Sequence, residues 1–369
     1  MPPALPSLRV LDFSRVLAGP YATMILGDLG AEVTKIERPG AGDETRAWGP
    51  PYDGAGNATY FLSVNRNKRS LVLDLRRPAD LETAQHLARE SDVLVENFRP
   101  GLMDELGLGY GQLKQDNPGL IYCSISGFGA EATDLPGYDL LVQALGGLMS
   151  ITGPADGHPH KVGVALVDVL AGLFATIGIL AAVTHRATSG EGQRVEVDLL
   201  SSLLSAMVNQ SAAYTAAGVV PERMGNRHPS IAPYEPLACA DGELVVAVGN
   251  NRQFASLCSV LGAPELARDA RFASNASRVA HREQLIAALE RCLAERPASE
   301  WATELTEARV PAGVVNDIAG AFRLAESLGL DPIVSLASED GTEVRLPRNP
   351  IRLSATPPAY RLAPPDLDG

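Results

Sequence analysis

The 369-residue sequence predicts an α/β protein, with an open, doubly wound parallel sheet in a large domain and a smaller α+β domain. Three observations carry this. Short apolar runs alternate with helical segments from the N-terminus to about Asp198, which is the signature of βαβ units. A long apolar segment of helical length follows Asp168. The composition then changes across a proline-rich stretch, Val219 to Pro236, after which strand and helix signals resume.

Leu8 to Phe13 reads as the first strand, Ser14 to Pro20 as a turn and Tyr21 to Leu29 as a helix, with Gly30 placed to close it at C′. Glu32 to Ile36 is the next strand, and the crossover between the two is right-handed. The pattern continues with a strand at Ser70–Leu75, a helix at Ala79–Glu90, a strand at Asp92–Glu96, a helix near Leu102–Leu106 and a strand at Leu120–Ile125. After Asp168 a helix runs to about Arg186, Arg194–Asp198 is a strand, and Leu199–Ala217 reads as one helix. Val219 to Pro236, with its run Arg223-Met-Gly-Asn-Arg-His228, has no period and reads as a linker or functional loop. Beyond it lie a strand at Glu243–Val248, helices near Arg252–Leu261, Arg278–Ala294 and Ala298–Ala308, and a short strand at Pro311–Val315. The tail from Asp331 reads as strands and loops returning over the surface.

Composition narrows the function. A hydrophobic fraction of 46% with 20% charged residues fits a globular chain rather than a disordered one. A formal charge of −13 counts against nucleic acid as a partner. Cys123, Cys239, Cys258 and Cys292 lack CxxC spacing, so neither a zinc site nor a disulfide framework is indicated, which suits a reducing cytosol. The opening Met-Pro-Pro-Ala-Leu-Pro is neither a signal nor a transit sequence. The apolar stretch Val162–Val183, broken by Asp168 and rich in Gly and Ala, reads as a core helix and its approach, not a membrane span. A cytoplasmic protein with no membrane partner is expected. Gly107-Leu-Gly-Tyr-Gly111 is misplaced for a dinucleotide fingerprint, and GxxxxGK[ST], GxSxG and HExxH are absent.

Chemistry points first to Asp168, alone in Lys161-Val-Gly-Val-Ala-Leu-Val-Asp168-Val-Leu-Ala-Gly172. A carboxylate in apolar surroundings is costly unless capped, paired or used. The simple expectation is an N-cap for the helix that follows. The sharper one adds a nucleophile kept ionised by the helix N-terminus. Asp139, in Pro136-Gly-Tyr138-Asp139, reads as another N-cap. Arg38, Arg46, Arg66, Lys68, Arg69, Arg76 and Arg99 fall in loops or strand ends of the first βαβ units. They read either as a rim for a phosphate-bearing ligand or as a solvated face with scattered salt bridges. His158 and His160 flank Pro159 without acidic or Cys partners at ligand spacing, so no metal site is expected.

Taken together, the motifs resemble a known family. The opening Val10-Leu-Asp-Phe-Ser-Arg-Val-Leu-Ala-Gly-Pro20 and Leu29-Gly-Ala-Glu-Val-Thr-Lys-Ile-Glu-Arg-Pro39 are similar to the class III (CaiB/BaiF) CoA-transferases, a superfamily that includes the α-methylacyl-CoA racemases. Asn65–Ser70, Val95–Gly101, Gly137-Tyr-Asp139, Gly146–Gly153 and Val162–Gly172 match in the same order, so the resemblance covers nearly the whole chain.

That resemblance implies an interlocked homodimer and a Rossmann-like large domain formed by residues 1–199 and a C-terminal return, 321–369, with linkage through 200–236 to a small domain, 237–320. It implies that Asp168 is the catalytic carboxylate, with Tyr138 and Asp139 beside it. It places Arg38, Leu73, Arg76, Asn97 and Phe98 at positions that hold CoA, with Arg15, Val16, Leu17 and Ala18 lining the same cleft. Acyl-CoA and a carboxylic acid are then substrates, with no permanently bound cofactor. The racemases carry a His where this chain has Tyr138, and a phenol with an ordinary pKa near ~10 is a poor base at neutral pH, so transfer is favoured over racemisation. The Gly225–Ser230 region lacks the glycine-rich loop of formyl-CoA transferases, which argues against oxalate or formyl specificity. Gly146–Gly153 and Gly225–Pro229 look more like members using succinyl-CoA and dicarboxylates, with Arg227 and His228 expected to bind the acceptor's distal carboxylate.

Overall fold

A computed structural model describes residues 3–132, 135–338 and 340–369. Six strands form one parallel sheet: β1 (Arg9–Asp12), β2 (Glu32–Glu37), β3 (Lys68–Val72), β4 (Val93–Glu96), β5 (Ile121–Ser126) and β6 (Arg194–Asp198), in the order β3-β2-β1-β4-β5-β6. This is the sheet that the alternation predicts. β4 is buried along its whole length, as a strand covered on both faces must be. The order reverses between β1 and β4, so the loops leaving their carboxyl ends splay apart and leave a crevice there.

The chain divides into two compact units. Met1–Met149, Lys161–Val220 and Asp331–Gly369 form the first; Ser150–His160 and Pro221–Leu330 form the second. In the first, the long helix Leu166–Ser189 buries Val167, Ala171, Ala175, Ile179 and Ala182 in the core that contains Val10, Ala22, Val93 and Ile125. It is long and apolar enough to cross a membrane by length and composition alone. Here one face packs into the core while Leu173, Phe174 and Ile177 stay exposed on the other. The second unit holds an antiparallel sheet of β7 (Tyr234–Ala238), β8 (Glu243–Ala247) and β9 (Ala312–Val314). Leu237, Leu244, Val246, Phe254, Leu257, Leu289 and Trp301 fill its core.

The structure departs from the sequence reading at several elements. β3 starts at Lys68 rather than Ser70, because the ammonium of Lys68 is fully buried and held by Asp12 Oδ2, Pro20 O and Asn65 Oδ1 at 3.1, 2.9 and 3.0 Å. β7 begins inside the stretch read as a linker or functional loop and runs two residues past its end at Pro236; it is an edge strand, and only there is Pro236 tolerated in a ladder. The expected Leu199–Ala217 helix is two helices, Leu199–Ala206 and Val208–Ala217, broken where Val208 takes φ +41°. The helix Ile318–Ser327 was not anticipated, although its apolar residues have helical spacing.

The C-terminal return rejoins the first unit. It contributes the hairpin of β10 (Ile333–Ala337) and β11 (Glu343–Pro347), whose Val334, Leu336, Val344 and Leu346 pack with Leu62. Ser70 N donates to Gly369 O (2.7 Å) and Val72 N to Asp368 Oδ1 (3.1 Å), so the open edge of β3 is covered. Buried Asp28 anchors this junction. Its carboxylate accepts from Arg66 Nε and Nη2 (2.9 and 2.6 Å), Asn67 Nδ2 (2.8 Å) and Asn349 Nδ2 (3.0 Å). Replacing Asp28 with Ala strands a buried guanidinium, and the expected loss is about 3–5 kcal/mol in urea unfolding. A loss below about 1 kcal/mol would show that the return is held elsewhere.

Candidate active site

The loop after β1 is fastened from several sides. Asp12, fully buried, accepts from Ser14 N (2.9 Å), Ser14 Oγ, Thr23 Oγ1 (2.6 Å) and Lys68 Nζ. Burial pushes its carboxyl up, but Lys68, Lys35 and the two hydroxyls outweigh that and leave it below the usual carboxylate range. Lys35, also fully buried, donates to Ser14 O (2.8 Å) and pairs with Asp43 Oδ2 (2.9 Å). Asp43 in turn accepts from Val16 N at 3.3 Å. Val16 is β-branched with φ +70°, a strained conformation that persists only when its surroundings impose it. On the far side of the crevice Asn97 exchanges two bonds with the Arg15 backbone (2.9 and 2.8 Å), and the Arg15 guanidinium lies 4.9 Å over Phe98.

Two close backbone approaches bring the carboxylates to this loop. A Cβ on Gly172 would sit 2.6 Å from Ala18 O, so only glycine lets the long helix come this near. Asp168 lies four residues earlier on the same helix face. Gly127 and Gly137 cross so tightly that a Cβ on either would fall within 3 Å of the other's Cα, which sets Tyr138 and Asp139 over the end of β5.

The capping expectation is overturned. Asp168 is the third residue of the long helix, whose N-cap position is Ala165 with no side-chain cap. Asp139 is the first residue of its own helix, Asp139–Leu145, and does not cap it either. Its Oδ1 instead accepts from Val167 N (2.7 Å) and Asp168 N (3.3 Å), so Asp139 supplies the cap of the long helix from outside. Gln143 Nε2 holds the other Asp139 oxygen at 2.6 Å. Nor does the helix N-terminus keep Asp168 strongly acidic. Burial, and then the Asp139 charge, push its carboxyl up to about 7.

Asp168 stands at the junction of two cavities. One, of about 620 Å³, lies in the crevice at the strand ends and is lined by Arg15, Val16, Leu17, Ala18, Asn97, Phe98 and Tyr138. The other, of about 550 Å³, is lined by Trp48, Tyr60, Ser63, Asp139, Leu140, Lys161 and Val164. Trp48 and Tyr60, packed edge to face at 5.2 Å, were missed by the sequence reading because their stretch carries no motif. Burial, with Asp168 next, pushes the Tyr60 phenol up to about 12, so it remains a proton donor.

The remaining expected residues are spread more widely. Arg38 reaches the crevice rim through Glu44, whose Oε1 lies 2.7 Å from Arg15 and 3.6 Å from Arg38. Leu73 is buried in the core behind β3, and Arg76 is exposed and paired with Asp74. Arg46, Arg66 and Lys68 do not belong to a phosphate rim or to a solvated face, since Glu37, Asp28 and Asp12 hold them inside the first unit. Arg227 and His228 belong to the second unit, where Arg227 pairs with Glu235 (3.2 Å) and Glu283 (2.6 Å), and His228 Nδ1 accepts from Ser230 N (3.0 Å).

Comparison with known proteins shows the family to which this fold and sequence belong. The family model for CoA-transferase family III matches residues 5–369. The chain belongs to CoA-transferase family III. Among the relatives of this family III chain, a succinate–glutarate CoA-transferase from Agrobacterium fabrum is 42% identical over 99% of this chain and 93% of its own length. An acetyl-CoA:oxalate CoA-transferase from Acetobacter aceti is 41% identical over 98% and 92%. The crystal structure of a CaiB/BaiF family protein from Brucella suis superposes with a TM-score of 0.87 at 41% identity, covering 100% of this chain and 97% of that one.

The raised Asp168 carboxyl has a consequence for stability. A carboxyl whose folded pKa exceeds its unfolded value favours the fold only where it is protonated, and that benefit is lost as pH rises through about 7. Asp168→Asn is therefore expected to gain stability over the wild type by about 2–4 kcal/mol between pH 4, near the unfolded value, and pH 8, with no further gain above about pH 7. Urea unfolding at both values checks this. A variant that gains nothing over that interval would mean that the ionised carboxylate is satisfied in the fold.

Proposed function

We propose that this family III enzyme moves CoA from succinyl-CoA to a second dicarboxylic acid, with Asp168 as the covalent nucleophile. The observation that carries the reading is the position of Asp168, open to both chambers at the reversal of strand order. CoA takes the crevice lined by Arg15 to Ala18, Asn97 and Phe98, with Arg38, Leu73 and Arg76 toward its outer end. Of the acids in the relatives' names above, succinate, glutarate and oxalate are dicarboxylates and the acetyl donor of the oxalate enzyme is not, so three of the four support that substrate class. The 41% identical oxalate relative also removes the weight of the missing glycine-rich loop as an argument against oxalate.

The chemistry follows from a carboxylate next to a thioester. The ionised Asp168 oxygen attacks the donor carbonyl, the C–S bond breaks, and a mixed anhydride and CoA thiolate result. The thiolate attacks the Asp168 carbonyl of the anhydride, releasing the donor acid as its carboxylate and leaving an aspartyl-CoA thioester. The acceptor carboxylate then attacks that thioester and forms a second anhydride, and the returning thiolate takes the acceptor acyl group and frees Asp168. Each step exchanges one acyl bond for another, so the thioester energy is retained without ATP. Tyr60, a half-buried phenol lining the second chamber with Asp168, is placed to stabilise the oxyanions. Asp139 positions that helix end and raises the basicity of Asp168.

The same reading takes the working form as an interlocked homodimer. Exposed apolar side chains on the first unit (Leu173, Phe174, Ile177) and on the second (Ile318, Leu324, Leu328) support a second copy as their cover. Sedimentation equilibrium should give twice the 38.9 kDa chain mass, and a concentration-independent monomer would overturn the pairing.

Mass spectrometry after incubation with succinyl-CoA and hydroxylamine should find a hydroxamate on the Asp168 peptide of the wild type and none in Asp168→Asn. Absence of the adduct, with deuterium exchange at the α-carbon of a branched acyl-CoA, would mean a racemase; tight CoA binding with neither would mean a binding protein. Because the nucleophile must be ionised, kcat/KM for the donor should fall about tenfold per pH unit below pH 7. A rate that is flat down to pH 5 would mean an Asp168 of ordinary acidity.

A further inference from the structure

The second chamber ends in a charge that the transfer chemistry does not use. Its walls near Asp168 are apolar or aromatic, with Trp48, Tyr60, Leu140 and Val164 among them, while Asp139 and Asp168 bring two carboxyl groups. Lys161 is the one basic side chain among its lining residues. The ammonium donates to Val162 O at 3.2 Å and has no carboxylate partner among the described residues. The backbone beside it is fixed by the side chain that orients the carboxylates. Fully buried Gln143 accepts from Val162 N (2.9 Å) through Oε1 and donates to Asp139 Oδ2 (2.6 Å) through Nε2. Lys161 is thus carried on a segment tied to the Asp139–Asp168 pair through one amide.

A dicarboxylate entering this chamber brings one carboxylate to the reacting centre and a second that must be left somewhere. Leaving a charged carboxylate unpaired against apolar walls is costly, and two resident carboxyl groups raise that cost by repulsion. The Lys161 ammonium at the same chamber, with no carboxylate partner among the described residues, offsets it. We infer that the Trp48–Lys161 chamber is the acyl subsite and that Lys161 binds the distal carboxylate of the dicarboxylate, making it a specificity-determining residue. This rests on the transfer reading above, and it assigns to Lys161 the role that the sequence suggested for Arg227, whose guanidinium is held by Glu235 and Glu283.

The test uses the full-length enzyme and two acceptors of similar length, glutarate and butyrate. In a double-displacement reaction kcat/KM for the acceptor does not depend on the donor, so succinyl-CoA serves for both. Loss of one charge-assisted bond predicts that Lys161→Gln lowers the glutarate-to-butyrate ratio of kcat/KM by about 10- to 100-fold. Lys161→Glu should lower it further, and Lys161→Arg should keep it within about threefold of the wild type. An unchanged ratio in Lys161→Gln and Lys161→Glu overturns the inference, as does a ratio that falls in Arg227→Gln instead. The hydroxamate assay separates this failure from that of the function itself. An adduct at Asp168 with an unchanged ratio overturns the subsite alone, whereas a wild type that forms no adduct overturns both.

Discussion

Two lysines with no solvent exposure hold the working end of this molecule. Lys35 and Lys68 sit under the loop after β1, where water has been replaced by Asp12, Asp43 and backbone carbonyls. Removing an ammonium from water costs several kcal/mol, and only near-complete pairing offsets it. Burial pulls Lys68 down to about 8 even with Asp12 beside it, which shows how closely the two effects compete. The network fixes the Ser14–Leu17 turn, including the left-handed Val16, so that the crevice wall is set before any ligand arrives.

The rest of the site follows from that wall. The long helix can approach it only because Gly172 has no side chain, and the helix carries Asp168 with it. Asp139 then takes the free N–H groups at the helix end, so the Asp168 carboxylate has no backbone donor among the described residues, and burial and the Asp139 charge raise its pKa. A residue that capped its own helix would be fixed and strongly acidic. Delegating the cap to a second carboxylate leaves Asp168 lining both chambers and more basic than an ordinary carboxylate, a property that the proposed role of nucleophile uses.

Strong periodic signals translated well into structure. β1, β2, β4, β5 and β6 appear within two residues of their expected ends. β4 and β5 are mostly apolar runs and β6 alternates polar with apolar residues, both of them local strand signals. Failures cluster where tertiary pairing overrides local character. Lys68 and Arg66 looked like surface charge and are buried ion-pair members. Pro236 looked like a loop residue and lies in an edge strand.

By itself the sequence determined the α/β class, the parallel sheet and the family, since periodicity and ordered motifs are local properties of the chain. Only the tertiary structure decided that Asp139 rather than Asp168 caps the long helix, that Trp48 and Tyr60 wall a second chamber, and that Lys161 lines it with no carboxylate partner among the described residues while Arg227 is paired elsewhere. Those facts depend on which charges find partners far away along the chain, and pairing energy in a buried site is set by distance in space, not by spacing in sequence.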